Sequence, residues 1–472
     1  MKKLIIILCA SVAIAGCTDN FDEAVDFTRV ENPNLSEGSV VGQPNSSQIW
    51  LSGLERQISL ALGEILILAE LGSDNYVNTQ TFFNQFLDDL DIRTTDPDLR
   101  DTQFQIHRLR ESARFGLEQV GPADSEYSDE TEAEYHFFEG MSYLYAAMYF
   151  SGLPIEELGE IISSEENYNL AITSFEAAIA ANELPEYHLA KARAHYYLGE
   201  KTEAVAAANQ ALALDSDFTR QARHDAANGP TNQLQDAIYD RATFDDFQPL
   251  PTLDFLDPKY SRLTASEDAP IHYLKAEEAY LILAEANITG GAIAAAKTNL
   301  EDLVDLVDTR EVRTINDATE GRTQVAPGSR PNKSSVVVNG RSGLVLDRDE
   351  AVEVPSISGT SLTLAEINAI STEDGGLKLI YRTRQEVFIA EGLRFVDMGI
   401  KLVIAQNEIL QNPNVSEGDP STVAVIPSFI AAVIPQLDEI TYNAAGNTAT
   451  TAINVTDILV ANKTSPLVLP FN

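Results

Sequence analysis

The sequence predicts a mainly α-helical body built on tetratricopeptide-type helix pairs, with loop-rich segments and small β-hairpins inserted between them. Apolar residues recur at spacings of three and four from Ile49 to Leu71, which is typical of a helix that buries one face. Small and apolar residues from Ala192 to Asp215 follow the spacing of a tetratricopeptide repeat, whose two helices approach each other closely. A neighbouring copy is split by an insertion, with Gly140 and Tyr143 in its first helix and Ala171, Phe175 and Ala178 in its second. Two further helical patterns flank Gly290-Gly291 and predict another helix pair.

The N-terminal residues are predicted to be an export signal. Lys2 and Lys3 precede an apolar stretch from Leu4 to Ala15, and a helix of that length rises about 18 Å. The hydrocarbon core of a bilayer is roughly 30 Å thick, so this stretch is too short to span it. Residues 1–16 are therefore expected to be a signal peptide that is removed.

Cys17 is predicted to carry lipid. The segment Ile14-Ala15-Gly16-Cys17 resembles the bacterial lipobox, and the other cysteine, Cys9, lies in the segment to be removed. The exported chain can therefore form no internal disulfide, although it passes through an oxidising compartment. The alternative is an ordinary secretory signal beside an unpaired thiol. Lipid modification explains the sole remaining cysteine better, and its acyl chains would hold the protein on a membrane.

The charge of the chain argues against a nucleic-acid partner. The sequence has 32 basic and 72 acidic side chains, which give a formal net charge of −40. Binding to a phosphate backbone needs a basic surface, so we expect no nucleic acid to bind. The acidic excess is typical of a solvated surface, and it disfavours polyanionic substrates.

The exported chain divides into a tether and a body. Residues 17–47 are rich in Asp, Asn, Ser, Gly and Pro and are predicted to form a flexible, lipid-anchored tether. The folded domain is expected over 48–472, with the helix pairs at about 131–307 and a loop-rich insertion at about 309–365. A small β-hairpin is expected around Asn339-Gly340. Single helices are predicted over Ile49 to Leu71, Thr102 to Val120, Thr131 to Phe150, Ile271 to Ile288, Gly291 to Val307 and Ile380 to Ile409.

Several motifs together resemble the SusD/RagB family of outer-membrane nutrient-binding lipoproteins, and their order along the chain is also that of the family. The segment from Tyr273 to Asn287 looks like the family's helix ending in Ala-Glu-Ala, with Lys275 near the position where Arg is common. The segment from Arg382 to Met398 is similar to a second family helix, with Gln385 where an Arg is usual. Three shorter matches are Leu71 to Asn75, Asp257-Pro258-Lys259 and Tyr143 to Pro154.

The resemblance implies a non-catalytic lipoprotein that binds an oligosaccharide and delivers it to a SusC-like TonB-dependent transporter. It implies no cofactor. Asp19, Asp22 and Glu23 follow Cys17 and resemble the surface-export signal of such lipoproteins. The resemblance therefore implies a lipid anchor in the outer membrane and a position facing the cell exterior. The identity of the glycan, or even a peptide ligand, stays open.

Candidate glycan-binding residues follow from the chemistry of sugar recognition. Aromatic rings stack on the C–H faces of pyranose rings, and neighbouring polar groups bind the hydroxyls. Aromatic residues placed in loops are therefore candidates if they are exposed, although each one could instead belong to the core. The predicted glycan-binding residues are Asp74, Tyr76, Phe82, Phe247, Phe255 and Tyr260.

Three charged residues of the second family motif have a simpler interpretation. Glu391, Arg394 and Asp397 recur at a spacing of three. We interpret them as a network of charges that fixes this segment against the body rather than as ligand contacts.

Two other functional classes remain open. A tetratricopeptide scaffold of envelope assembly would bind proteins and no sugar, and a surface glycan hydrolase would cleave its ligand. The six His residues are scattered, and no zinc-protease, serine-hydrolase or nucleotide-binding motif appears. We therefore expect no catalytic residue and no metal site. Sugar binding without turnover would separate the three classes.

Overall fold

The computed structural model describes residues 41–78, 85–239, 247–261, 263–264, 266–316, 336–344, 351–443 and 445–472. The predicted signal peptide, Cys17 and most of the predicted tether lie outside these residues, as does the glycan-binding candidate Phe82. Within the described ranges, no helix combines the length and the apolar character needed to cross a membrane.

Helices form most of the described body. They are α1 (Ser46–Leu71), α2 (Gln85–Asp88), α3 (Pro97–Phe115), α4 (Gly121–Ala123), α5 (Asp129–Tyr149), α6 (Ser164–Ala181), α7 (Pro185–Tyr197), α8 (Lys201–Leu214), α9 (Gln233–Ile238), α10 (Ala276–Thr289), α11 (Ile293–Val307), α12 (Leu364–Ala369), α13 (Glu373–Val387), α14 (Leu393–Asp397), α15 (Gln406–Gln411), α16 (Ser428–Ala431) and α17 (Val455–Ala461).

The strands are short and form several small sheets. They are β1 (Tyr76–Asn78), β2 (Gly152–Pro154), β3 (Ile161–Ser163), β4 (Thr219–Ala222), β5 (Phe247–Pro249), β6 (Ile271–Lys275), β7 (Val312–Asn316), β8 (Val337–Val338), β9 (Arg341–Ser342), β10 (Ala351–Pro355), β11 (Ile440–Asn443) and β12 (Thr448–Thr451). Strands β1 and β5, β2 and β3, β4 and β6, and β7 and β10 pair antiparallel. A further sheet has the order β11-β12-β8-β9.

Helix α1 begins inside the predicted tether, because Asp124 holds its first turn. The Asp124 carboxylate accepts hydrogen bonds from the backbone N–H of Asn45 at 3.2 Å and from that of Ser47 at 3.0 Å. It also accepts one from the Ser47 hydroxyl at 2.6 Å. The Ser47 hydroxyl and the backbone N–H groups of Glu126, Ser47 and Asn45 lower the pKa of Asp124 to about 2. The helix therefore starts at Ser46 rather than at the predicted boundary of 48.

Helix α3 also starts earlier than predicted and ends in an unusual turn. The Asp96 carboxylate accepts a hydrogen bond from the N–H of Asp98 at 2.9 Å, and Pro97 occupies the first helical position. Both features are typical of a helix N-terminus. After Phe115 the chain continues as a π-helical turn from Gly116 to Val120. The predicted helix from Thr102 to Val120 is thus confirmed in type and shifted in its bounds.

The predicted tetratricopeptide-type pairs are present as α5 with α6, α7 with α8, and α10 with α11. Gly140 lets the first pair approach closely, because a Cβ built on it would lie 2.6 Å from the ring of Phe175. The small residues Ala171, Ala204 and Ala211 are fully buried at the positions that the repeat pattern indicates. The mainly α-helical fold class is confirmed.

Two predicted helices are wrong in part. Ile271 to Lys275 form strand β6, all of whose residues are buried, and the helix starts only at Ala276. The strand pairs with β4, which is distant in the sequence, so local periodicity did not reveal it. The helix predicted from Ile380 to Ile409 is broken after Val387 and replaced by two shorter helices, α14 and α15.

The β-hairpin expected around Asn339-Gly340 is confirmed as β8 and β9. Both turn residues have left-handed backbone, with φ of 48° at Asn339 and 83° at Gly340, as a two-residue hairpin turn requires. Its residues Val336 and Val338 form a small apolar cluster with Leu344 and Ala449. The main core is a separate and much larger cluster that the helices share.

We expect opposite effects from alanine at two helical glycines. Gly140→Ala would push a methyl group into the Phe175 ring, and overpacking of this kind costs about 1–3 kcal/mol of unfolding free energy. Gly53→Ala meets no atom within 4 Å and should stabilise α1 by about 0.5–1 kcal/mol. Urea unfolding followed by circular dichroism measures both. Equal effects of the two variants would contradict the close approach of α5 and α6.

Candidate functional site

The segment between α13 and α14 is a tight turn that packs against the rest of the body. Ala390 and Gly392 both have left-handed backbone, with φ of 62° and 76°. A Cβ on Gly392 would lie 2.8 Å from the Tyr149 hydroxyl and 2.9 Å from Leu66. Only glycine therefore fits at this position, and the turn is held against α1 and α5.

The carboxylate of Glu391 is buried in this turn between two lysines. Lys275 donates to it at 2.6 Å and also donates to the carbonyl oxygens of Val387 and Ile357. Lys259 donates to the same carboxylate and to the carbonyl of Ile389. Burial lowers the pKa of Lys275 to about 8. Lys275 thus joins strand β6 to the turn.

A second carboxylate, that of Glu70 in α1, binds the other side of the turn. It accepts hydrogen bonds from the N–H of Gly392 at 2.6 Å and from the amide of Asn75 at 2.8 Å. Its side chain is fully buried. Burial raises the pKa of Glu70 to about 7, because removing water disfavours the charged form.

Two arginine pairs complete the charged cluster. Arg394 donates to both oxygens of Asp74, at 2.5 and 2.9 Å. Arg384 donates to both oxygens of Asp397, at 2.9 and 3.0 Å. The structural interpretation of Glu391, Arg394 and Asp397 is confirmed, although each binds its own partner rather than its neighbours in the motif. We call the turn and these buried pairs the charged junction.

Most of the predicted glycan-binding residues lie in the core around this junction. Tyr76 and Phe247 are diagonal neighbours across strands β1 and β5, with ring centroids 6.3 Å apart, and both are fully buried. Tyr260 is also fully buried and donates to the carbonyl of Ala390 at 3.1 Å. The expected exposure of these three rings is wrong, because strand pairing and the turn carry them into the core. Phe255 is partly buried against the apolar clusters.

A cavity of about 220 Å³ adjoins the charged junction and is lined by Asp74. It lies between helices α13 and α17 and the strands β8 and β12. The apolar part of its wall includes Leu250, Leu253 and Leu437. We call it the polar cavity. Its polar lining residues are Asp74, Thr252, Asn339, Arg341, Lys378, Arg382, Gln385, Glu386, Thr451, Asn454, Thr456 and Asp457.

The charged groups of the polar cavity are paired, Asp74 with Arg394 of the charged junction and others with one another. Lys378 and Asp457 lie 2.6 Å apart, and their side chains are 48% and 50% exposed, so both remain open to a ligand. Glu386 is buried between Arg341 at 3.7 Å and Arg382 at 3.8 Å. Paired charges beside amides and hydroxyls suit a polar, uncharged ligand better than an ion.

Sequence reasoning missed most of this cavity. Of the predicted candidates, Asp74 alone lines it among the described residues. Arg341, Lys378 and Asn454 come from distant parts of the chain, so no local pattern joins them. In the described residues, no group of three or more His, Cys, Asp or Glu side chains is arranged to hold a metal ion.

Comparison with known proteins identifies the fold. No protein-family model and no curated protein matches the chain. A SusD superfamily protein from Bacteroides fragilis matches with a TM-score of 0.54 and 15% identity, over 80% of this chain and 100% of that chain. A SusD-like protein from the same species matches with a TM-score of 0.51 and 13% identity, over 80% and 88% of the two chains.

A third structure carries a functional description of its own. It is a SusD-like carbohydrate binding protein from Bacteroides vulgatus, which matches with a TM-score of 0.50 and 13% identity. The match covers 76% of this chain and 83% of that chain. The chain therefore has the SusD-like fold, and the resemblance found in the sequence motifs is confirmed at the level of the fold.

The charged junction predicts a specific pH dependence of stability. Burial raises the pKa of Glu70 in the folded protein to about 7, above its value in the unfolded chain. The protonated group therefore adds to the unfolding free energy at pH values below the unfolded pKa, and this contribution is lost as the pH rises through 7. Glu70→Gln removes the titration. We expect the unfolding free energy of the variant, relative to the natural protein, to rise by roughly 2 kcal/mol between pH 5 and pH 8.

Urea unfolding at several pH values measures this difference. Glu203→Gln changes an exposed residue of α8 and is the matched control, for which we expect no such trend. Parallel pH profiles for the natural protein and Glu70→Gln would show that Glu70 does not titrate in this range.

Proposed function

We propose that this chain is a non-catalytic, cell-surface lipoprotein that binds oligosaccharide nutrients and delivers them to a SusC-like TonB-dependent outer-membrane transporter. The observation that carries the proposal is the SusD-like fold, which extends over 80% of the chain in the matches to two Bacteroides fragilis proteins. The protein of the same fold from Bacteroides vulgatus is described as carbohydrate binding. Oligosaccharide binding is therefore the activity proposed for this chain.

The chemistry of the polar cavity supports a sugar as the ligand. Hydroxyl groups both donate and accept hydrogen bonds, and the cavity offers both kinds of partner at Asn339, Thr451 and Asn454. The exposed pair of Lys378 and Asp457 adds a donor and an acceptor without adding net charge. We therefore assign the sugar to the polar cavity.

The proposed anchor is Cys17, and the proposed location is the outer membrane with the body facing the cell exterior. The proposal rests on the lipobox-like segment and on the acidic residues that follow it. The transporter partner is proposed from the fold, and it agrees with the presence of tetratricopeptide-type helix pairs, which commonly bind other proteins.

A blocked polar cavity should impair sugar binding. Thr252 is partly buried and lines the cavity, so Thr252→Phe fills part of its 220 Å³ with a ring. In calorimetric titrations with maltoheptaose, cellohexaose, xylohexaose and mannohexaose, we expect this variant to lose a bound sugar or to bind at least about tenfold more weakly. Thr298→Phe, on the exposed side of α11, is the matched control.

The same samples distinguish the alternative functions. Chromatography after long incubation should show intact oligosaccharides, and release of shorter sugars would indicate a hydrolase. Titrations of Thr252→Phe that match those of the natural protein would contradict a sugar site in the polar cavity. A chain that binds none of the sugars but captures envelope-assembly proteins would favour the scaffold.

Cell fractionation tests the anchor. We expect the natural chain in the outer-membrane fraction after a salt wash, accessible to protease added to intact cells. Cys17→Ser should be released from the membrane, because it removes the sulfur that would carry lipid. Cys9→Ser changes a cysteine of the removable segment and should remain anchored. Membrane-bound Cys17→Ser after the wash would contradict lipid anchoring.

A further inference from the structure

A second concave surface lies along helix α3 and shares no lining residue with the polar cavity. Two cavities of about 540 and 350 Å³ adjoin there and share Glu111, Glu156 and Glu157 as lining residues. Trp50 and Phe115 line the first cavity, and Phe104 lines the second. We call the joined cavities the aromatic groove and define it by these six residues.

The floor of the aromatic groove is one face of α3. Phe104, Glu111 and Phe115 are separated by seven and four residues, which places them on the same side of the helix. Phe104 and Phe115 are therefore about 16 Å apart along the helix axis. A single sugar ring does not bridge this distance, but a short oligosaccharide does.

Each end of the groove carries an aromatic ring that is not fully buried. At one end, the rings of Trp50 and Phe115 lie in contact, with centroids 5.1 Å apart and planes at 44°. Trp50 is fixed because its indole N–H donates to the carbonyl of Ser112 at 2.8 Å. At the other end, Phe104 is 56% exposed, which is unusual for so large an apolar side chain on a helix. The rings thus offer preformed apolar faces.

Polar groups lie between the rings. The two cavities are lined by the carboxylates of Glu111, Glu118, Glu156, Glu157 and Glu408 and by the guanidinium groups of Arg100, Arg110 and Arg114. Carboxylates accept hydrogen bonds from hydroxyl groups. Because carboxylates outnumber guanidinium groups here and the whole chain is acidic, the groove disfavours an anionic ligand.

Two buried N–H groups in the groove have unused hydrogen-bonding capacity. The Arg110 side chain is 1% exposed, and its Nη1 has no hydrogen-bond partner among the described residues. Its Nη2 donates to Nδ1 of His107 at 3.2 Å and to the carbonyl of Pro154. Burial lowers the pKa of His107 to about 3, so the ring is neutral at physiological pH.

The state of His107 follows from this contact. A guanidinium group can only donate, so Nδ1 of the neutral ring accepts and Nε2 carries the proton. That Nε2 also lacks a partner within the described part of the chain. Buried donors without partners are rare and costly in folded proteins. The Phe104 end of the groove is therefore lined by two side chains that each carry a buried donor without a partner among the described residues.

We propose that the aromatic groove is a second binding site for a neutral oligosaccharide, whose rings stack on Trp50, Phe115 and Phe104 and whose hydroxyls bind the intervening carboxylates and N–H groups. The inference rests on the proposed function in that both assign a sugar ligand to the chain. It differs in placing a separate sugar along α3, outside the polar cavity. The occurrence of a π-helical turn directly after Phe115 agrees with a functional role for this helix end.

Trp50 makes the groove observable on its own, because it is the only tryptophan of the chain. Its fluorescence is followed during titration with maltoheptaose, cellohexaose, xylohexaose and mannohexaose, with hexagalacturonic acid as the acidic probe. We expect a saturable change with at least one neutral sugar. Phe104→Ala should raise the Kd of that change about tenfold, because it removes an exposed stacking face.

Matched variants test whether the fluorescence change reports sugar bound in the aromatic groove. Phe86→Ala also removes an exposed ring, which is 44% exposed and lies outside the groove, and it should leave the Kd unchanged. Glu111→Gln weakens a central acceptor and should raise the Kd several-fold. Thr252→Phe adds no tryptophan and should leave the Trp50 signal intact. Equal urea unfolding midpoints of Phe104→Ala and the natural protein establish that the fold is unchanged.

The outcomes distinguish this proposal from the proposed function. In one outcome, calorimetry detects sugar binding that Thr252→Phe removes, the Trp50 fluorescence does not change, and Phe104→Ala has no effect. That outcome overturns the groove as a sugar site and leaves the proposed function standing. A Trp50 change only with hexagalacturonic acid overturns the neutral class of ligand. No heat and no fluorescence change with any sugar overturns both proposals.

Discussion

The buried turn from Ala390 to Arg394 is the contact on which the rest of the body depends. It receives Glu70 from α1, Lys275 from β6 and Lys259 from the segment before β6. Through Arg394 it also fixes Asp74, two residues before strand β1. Removing one member of a buried ion pair leaves an uncompensated charge and costs roughly 3–5 kcal/mol, far more than the pair contributes in total. The junction therefore specifies how these segments meet, more than it adds stability.

The sequence predicted the helical architecture well, because helix pairs are local structures with a visible repeat. The buried alanines and Gly140 of the first pairs are examples. It failed where long-range contacts decide the structure. Strand β6 has the same apolar character as the helix after it, and only its pairing with β4 distinguishes the two. The break after Val387 depends on left-handed backbone at Ala390 and Gly392, which an otherwise helical motif hides.

The binding surfaces were harder to predict than the fold. Tyr76, Phe247 and Tyr260 stand in segments rich in polar residues, yet the strands and the turn bury them completely. The polar cavity is assembled from segments far apart in the sequence, so it has no local signature. The aromatic groove does have one, since Phe104, Glu111 and Phe115 share a face of a helix that was correctly predicted. The signal available in the sequence was Phe104, an aromatic residue outside the stripe of α3 that is buried.

The contacts at the start of α1 also determine how the body would bear a pull from a membrane anchor. Tension along the proposed tether would reach the body at Asn45 and Ser47, where Asp124 holds both residues through three hydrogen bonds. Tyr135 of α5 donates a further hydrogen bond to the carbonyl of Ser47 at 2.6 Å. Such a force would be shared with α5 and with the turn after α4 before it reached the rest of α1. The first helix would then be held at several points near its start rather than at one.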